Sequence, residues 1–166
     1  MMRPLKQPPA RVIFTNPVHF LAFGLGSGLS PVAPGTTGTL AAIPFAWLMA
    51  QLSLPWYLGI TLLTLVLGFW ICGRSSQMLG VHDHRGIVWD EFVGYFITMI
   101  AVPTTWYWYL WGFLLFRLFD VVKPWPAHYF DNRVHNGVGI VMDDVVAGLY
   151  ALAVLQLSVY GVAHWL

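Results

Sequence analysis

The formally charged side chains of this chain fall into three groups, and the long stretches between them carry none. The first group is Arg3, Lys6 and Arg11. The second runs from Arg74 through Asp83 and Arg85 to Asp90 and Glu91. The third runs from Arg117 through Asp120, Lys123, Asp131 and Arg133 to Asp143 and Asp144. A soluble fold spreads charge over its surface, and roughly a quarter of residues are charged in an average globular domain. Here 9% are charged and 58% hydrophobic, which points to lipid as part of the solvent. The 9 Trp and 7 Tyr suit the aromatic belts that form where a bilayer meets water.

The gaps set the expected fold. Residues 12–73 divide at Leu54-Pro55 into apolar runs over 40–54 and 56–72, each near the ~17–25 residues that a spanning helix requires. The gap over 92–116 is interrupted at Val102-Pro103-Thr104, which predicts either one kinked span or two helices meeting at a turn. The last gap, 145–166, is long enough to cross. Cooperation between the second and third charge groups requires them on one side of the membrane, and this favours a hairpin at Pro103. The hairpin over 40–72 then puts Arg74 with the basic N-terminus, on the cytoplasmic side by the positive-inside tendency. The expected fold is all-α, a single membrane-embedded domain over residues 1–166. It is a polytopic helical bundle with short interfacial or re-entrant helices. A soluble all-helical domain with unusually apolar buried helices is the alternative.

Several function classes drop out early. A net charge of +1 gives no basic stripe for nucleic acid. Cys72 is the only cysteine, so neither an intrachain disulfide nor a thiolate zinc cluster is available. The prolines at 8, 9 and 17 interrupt any apolar run after the basic N-terminus, and no cleaved signal peptide is expected.

Four segments remain that could carry chemistry. Pro34-Gly35-Thr36-Thr37-Gly38-Thr39 precedes an apolar run; its glycines permit close approach, and a helix N-terminus with threonine hydroxyls favours an anion. A turn with a threonine N-cap is the plainer reading, and the lysine of a P-loop is lacking. In Val88-Trp89-Asp90-Glu91-Phe92-Val93-Gly94 two adjacent carboxylates stand at a helix entrance, and Asp143-Asp144 before Val145-Val146-Ala147-Gly148 repeats the arrangement. Helix capping accounts for either pair alone. Two such pairs among 7 acidic residues point further, because carboxylates near a membrane are costly unless paired, hydrated or bound to a cation. Finally, Arg117, Asp120 and Lys123 are spaced by three and share a face if helical. An Arg117–Asp120 salt bridge with Lys123 snorkelling is the structural alternative to phosphate binding.

The chemistry that needs this set is phosphoryl transfer to water. Mg²⁺ takes oxygen ligands, keeps several waters and is commonly held by one or two carboxylates with substrate phosphate. Arg and Lys neutralise the phosphate oxygens, while the metal or a carboxylate activates water. His82 and His84 lack cysteine partners for zinc, and His128 and His135 remain candidate proton donors.

The chain resembles the phosphatidylglycerophosphatase A family of bacterial membrane phosphatases. The resemblance covers most of its length and rests on the Pro34–Thr39 motif, the Asp90-Glu91 segment, Phe116-Arg117-Leu118-Phe119-Asp120-Val121-Val122-Lys123-Pro124-Trp125-Pro126, and Gly139-Ile140-Val141-Met142-Asp143-Asp144-Val145-Val146-Ala147-Gly148. Trp89, where an aliphatic residue is expected, and Thr39, where serine is common, are small departures. The resemblance implies Mg²⁺-dependent removal of the terminal phosphate of phosphatidylglycerophosphate, giving phosphatidylglycerol, at the cytoplasmic face of a bacterial inner membrane. Apart from lipid, no obligate protein partner is implied. Asp90, Glu91, Asp143 and Asp144 are the expected catalytic residues; with Asp120 they are also the expected metal ligands. Gly35, Thr36, Thr37, Thr39, Arg117 and Lys123 are expected to bind phosphate, with Asp83 in an outer shell. The rivals are an ion or proton-coupled transporter using end-of-helix carboxylates, a phosphatidyl transferase, and a membrane scaffold without chemistry.

Overall fold

A computed structural model of the chain describes residues 7–165. Arg3 and Lys6, part of the positive-inside expectation, lie outside the described residues, as does Leu166. Among the described residues the chain is helical, without strands: α1 (Ala10–Thr15), α2 (Pro17–Ala22), a 3-10 segment (Gly24–Leu29), α3 (Pro34–Met49), α4 (Leu54–Leu79), α5 (Trp89–Thr98), α6 (Trp106–Val122), α7 (Ala127–Arg133) and α8 (Gly137–Trp165).

Local chemistry sets the helix ends. Pro17, Pro34 and Pro55 occupy the first turns of α2, α3 and α4, where a missing N–H is not needed. Asn16 caps α2 by accepting from the Val18 and His19 amides at 2.9 and 3.3 Å. Asn136 does the same for α8, accepting from Val138 and Gly139 at 3.0 and 3.1 Å. At its C-terminus α4 stops at Gly80, whose φ of 67° reverses the chain at little cost.

Short α5 is the centre of the bundle. All its residues from Asp90 to Thr98 are buried, with α3, α4, α6 and α8 packed around it. On one side it meets Phe116 and Leu155 through Tyr95, Phe96 and Met99. On the other, Val93 and Ile97 meet Ile71 and Val141. Its closest crossing is with α8, where a Cβ on Gly148 would stand 2.5 Å from the Gly94 carbonyl oxygen. A Cβ on Gly94 would in turn stand 2.8 Å from the Asp144 carbonyl oxygen. Small residues thus let two helices touch backbone to backbone, which brings the acidic ends of both segments together. Side-chain hydrogen bonds lock the packing: the Tyr57 hydroxyl donates to Phe96 O at 2.7 Å, Tyr95 to Tyr109 O at 2.8 Å, and Gln156 Nε2 to Ile100 O at 2.7 Å.

The expected hairpin at Pro103 is present, since α5 and α6 are separate helices joined by a turn around that proline. The apolar runs over 40–54 and 56–72 are extended in the structure: α3 starts at Pro34 and α4 continues past Arg74 to Leu79. α4 and α8 are each long and apolar enough to cross a membrane. With 10 residues, α5 reaches only about 15 Å, half of a typical hydrocarbon core.

Gly148→Leu should destabilise the protein by about 1–3 kcal/mol, because the new side chain has only the α5 backbone to displace. Thermal unfolding in detergent measures this; an unchanged Tm would show that the α5–α8 crossing can open without loss.

Candidate active site

The N-termini of α3 and α5, the loop after α4, the C-terminus of α6 and the first turns of α8 meet around a cavity of about 310 Å³. Six of the 7 acidic residues line it, namely Asp83, Asp90, Glu91, Asp120, Asp143 and Asp144. The cations on its wall are Arg85, Arg117 and Lys123, and Ala33, Pro34 and Gly35 complete the rim.

Glu91 of α5 is held from two other helices. Its Oε2 accepts from Thr39 Oγ1 of α3 at 2.9 Å and from Arg117 Nη1 of α6 at 2.7 Å. The same Arg117 nitrogen pairs with Asp120 Oδ2 at 2.6 Å. Gly35 makes this close approach possible, because a Cβ there would collide with Glu91 Oε1 and stand 3.1 Å from Arg117 Nη1. A second network centres on Lys123 Nζ, which donates to Asp131 Oδ1 at 2.8 Å and Asp143 Oδ2 at 2.6 Å. Burial opposes the charge on Lys123, yet the Asp143 and Asp131 carboxylates outweigh it and hold the ammonium pKa above its ordinary value. Lys123 is therefore a fixed cation.

Both acidic pairs share one local geometry: Asp90 Oδ1 accepts from the Glu91 amide at 3.1 Å, and Asp143 Oδ1 from the Asp144 amide at 3.0 Å. Their helical settings differ. Asp90 and Glu91 lie in the first turn of α5, where the helix dipole favours them. Asp143 and Asp144 do not stand at a helix entrance as expected, because α8 begins at Gly137 and Asn136 provides its cap. They sit in its second turn, buried against α5, and the dipole and caps no longer explain them. Asp144 Oδ2 is buried without a hydrogen-bond partner.

Backbone strain gathers here as well. Ala33, Asp83 and Lys123 have φ of 46°, 48° and 47°, in the left-handed region that costs a side-chain-bearing residue roughly 1–2 kcal/mol, and all three line the cavity. Such strain persists where surrounding contacts over-determine it, commonly at functional sites. Lys123 ends α6 in this conformation. It therefore leaves the helical stripe expected from the three-residue spacing and turns to Asp131 and Asp143 instead of snorkelling.

Of the expected phosphate-binding residues, Gly35, Arg117 and Lys123 line the cavity. Thr36, Thr37 and Thr39 lie in the first turns of α3, which Ala33 rather than a threonine caps. Thr37 Oγ1 donates to the Ser27 and Pro34 carbonyls at 2.9 and 2.8 Å; Thr39 stands behind Glu91. The expected metal ligands Asp90, Glu91, Asp120, Asp143 and Asp144 all face the cavity. No preformed cage of three or more His, Cys, Asp or Glu groups occurs among the described residues. Asp83, expected in an outer shell, belongs to the wall. Arg85 and Asp131 were not singled out; their membership of the second and third charge groups is the signal that marks them. His128 contacts Asn132, and the rings of His82 and His135 stand 5.1 Å apart; none of these histidines is on the cavity wall.

A cavity with paired cations and an excess of carboxylates suits hydrolysis of a phosphoryl group, and the class of protein is a phosphatase of helical fold. The family model described as phosphatidylglycerophosphatase A matches residues 20–159. The phosphatidylglycerophosphatase A of Escherichia coli K12 is 46% identical over 157 residues, covering 94% of this chain and 90% of that protein. That of Haemophilus influenzae is 45% identical, with 96% of each chain covered. A protein of Bacteroides thetaiotaomicron, provisionally named a phosphatidylinositol-3-phosphatase, is 40% identical over 86% of this chain and 90% of its own. No solved structure matches. The chain belongs to the phosphatidylglycerophosphatase A family and is an enzyme. The transporter alternative finds no support in these relatives.

Gly35→Ala should lower phosphatase activity at least about tenfold, since its methyl displaces Glu91 at the cavity wall. Full activity in the alanine variant would mean that Glu91 need not hold this position.

Proposed function

We propose that the protein hydrolyses the terminal phosphomonoester of phosphatidylglycerophosphate to phosphatidylglycerol and inorganic phosphate, that it depends on Mg²⁺, and that it is a multi-pass protein of a bacterial inner membrane with its cavity at the cytoplasmic face. The observation that carries this is the buried carboxylate excess, with Asp144 Oδ2 lacking any partner, in a chain whose relatives bear that substrate's name.

The donor set fits a divalent cation. Six carboxylates face three cations in the cavity, and an uncompensated buried charge is costly. Among the described residues neither Asp90 nor Asp144 makes an ion pair, so these two, with Asp143 beside them, would hold Mg²⁺. Glu91 and Asp120 are the less available members of the expected ligand set, because both are tied to Arg117. When bound, Mg²⁺ would supply charge for the phosphoryl oxygens and polarise water, keeping waters and substrate among its ligands.

The chain's own residues account for the remaining chemistry. Arg117 and Lys123 turn part of their hydrogen-bonding capacity from carboxylates to the phosphate oxygens. Arg85, on the same wall, adds a third cation. Oε2 of Glu91 is engaged by Thr39 and Arg117, which leaves Oε1, on the Gly35 side, to take a proton from the attacking water. The water oxygen bonds to phosphorus, the bond from phosphorus to the glycerol oxygen breaks, and the proton passes to that departing oxygen.

Membrane embedding follows from the surface. α4 exposes Trp56, Leu62, Leu63, Val66 and Trp70, and α6 exposes Leu110, Leu114 and Leu118, large apolar faces on two separate helices that water would not tolerate. Exposed Trp47, Trp56, Trp106 and Tyr107 lie at the end away from the cavity, with Trp125 and Tyr129 near it, as two interfacial belts would. Every described Lys and Arg lies towards the cavity end, while the distal turns over 50–53 and 99–105 have none. By the positive-inside tendency the cavity end is cytoplasmic.

Detergent-purified protein given phosphatidylglycerophosphate should release phosphate with Mg²⁺ and stop with excess chelator. Asp144→Asn and Glu91→Gln should each lose at least about 10²-fold in kcat while retaining helical circular dichroism. Chelator-insensitive release would remove the metal from the reading. Faster turnover of phosphatidylinositol 3-phosphate would replace the proposed head group.

A further inference from the structure

Two apolar clefts open on the exterior of the bundle, and α3 contributes to the walls of both. The first, of about 450 Å³, lies between α3 and α6 and is walled by Ile43, Pro44, Trp47, Trp106, Tyr109 and Leu110. The second, of about 300 Å³, lies between α3, α4 and α5 over Trp89 and Phe92. The second is closed off above, where Gly38 packs on Val88 so tightly that a Cβ on Gly38 would stand 2.6 Å from Val88 Cβ. α3 and α6 touch more sparingly, and their approach at the cavity end brings Gly35 to Arg117, both residues of the cavity wall.

We propose that the α3–α6 cleft holds an acyl chain of the lipid substrate while its phosphate occupies the cavity; this rests on the lipid phosphatase reading above. The two walls of the cleft are the helices whose upper ends carry the phosphate-facing groups. Thr36, Leu40, Ile43 and Trp47 share one stripe of α3, and Arg117, Phe113, Leu110 and Trp106 share one stripe of α6, by their spacing of three and four. Each stripe runs from polar at the cavity to apolar in the cleft. From Arg117 to Leu110, and from Gly35 to Ile43, the descent is about 10–12 Å at 1.5 Å per residue. In phosphatidylglycerophosphate the reacting phosphate is separated from the acyl esters by two glycerol units and a phosphodiester. A chain that starts in the cleft therefore leaves its terminal phosphate at Arg117 without bending back. The cleft carries no formal charge, its volume lies within the ordinary range of ligand pockets, and its Trp106 and Trp47 walls are 73% and 47% exposed, open sideways to lipid.

Phosphatidylglycerophosphate carrying a photoreactive diazirine in one acyl chain tests this, with Glu91→Gln protein in phosphatidylcholine vesicles so that the probe is not consumed. Labelling should concentrate on α3 and α6 near Ile43, Trp47 and Leu110, and excess unlabelled phosphatidylglycerophosphate should suppress it. Phosphatidylcholine with the same diazirine chain should label the outward face of α4 as well, without such competition. Competable labelling at Trp89 and Phe92 instead, or none in the α3–α6 cleft, would overturn the assignment. In a second measurement, Leu110→Trp should cut the preference in kcat/KM for the diacyl substrate over its deacylated head group by about tenfold, whereas Leu63→Trp on α4 should leave it unchanged. An unchanged preference in Leu110→Trp would also overturn the cleft. Capture of the probe in the cleft, together with no phosphate release by the unsubstituted protein, would keep the lipid site and sink the phosphatase reading. Release without competable capture would sink the cleft alone.

Discussion

The carboxylate of Glu91 is the point on which the bundle and the site both depend. It is buried at the start of α5 and receives Thr39 from α3 and Arg117 from α6, so three helices are joined through a single side chain. Removing a buried partner from such a group leaves an uncompensated charge, which costs more than the pair itself contributes. The approach of α3 requires Gly35 beside Glu91, and the approach of α8 requires Gly94 and Gly148 where α5 crosses it. These glycines are therefore conditions for the charge network, and the network gives the close crossings a function.

The site is built against the local preferences of the chain. Three non-glycine residues on its wall are left-handed, and its carboxylates outnumber its cations. Both terms oppose folding and are offset by the apolar packing of α5 against its neighbours. What is left is a cavity already charged and shaped before substrate arrives. Lys123 illustrates the arrangement: its strained backbone places the ammonium between Asp131 and Asp143, and those carboxylates keep it cationic.

Much of this was legible in the charge pattern. A chain that confines its ionised residues to a few groups has to place them at helix ends, and the division at Pro103 separates α5 from α6 as that proline requires. The end of α5 at Thr98, ahead of the break at Pro103, was not legible, because the apolar run gives no sign of a turn as early as residue 99. Nor was the position of Asp143 and Asp144 within α8: Asn136 provides a cap earlier than the acidic pair does, and an apolar pattern shared by helix and flank hides the difference. Thr37 and Thr39 look alike in the motif, yet one bonds the Ser27 carbonyl and the other Glu91. That choice is made by tertiary packing, which spacing does not encode.

A one-ended site follows from the same economy of charge. Spans without ionised residues cannot present ligands at mid-depth, so the groups that meet a phosphate have to come from the ends of several helices at once. An α5 that covers only about half a hydrocarbon core solves the geometric problem this creates, because its buried N-terminus can sit between the longer helices instead of at their rim. Asp90 and Glu91 thereby meet Asp143 and Asp144 below the level at which α8 begins, walled by protein and open towards one side. In the function proposed above, a membrane-anchored substrate would meet such a site with its head group at the cavity and its tails beside the helices, and the short central helix would make room for the first without exposing the charges to the second.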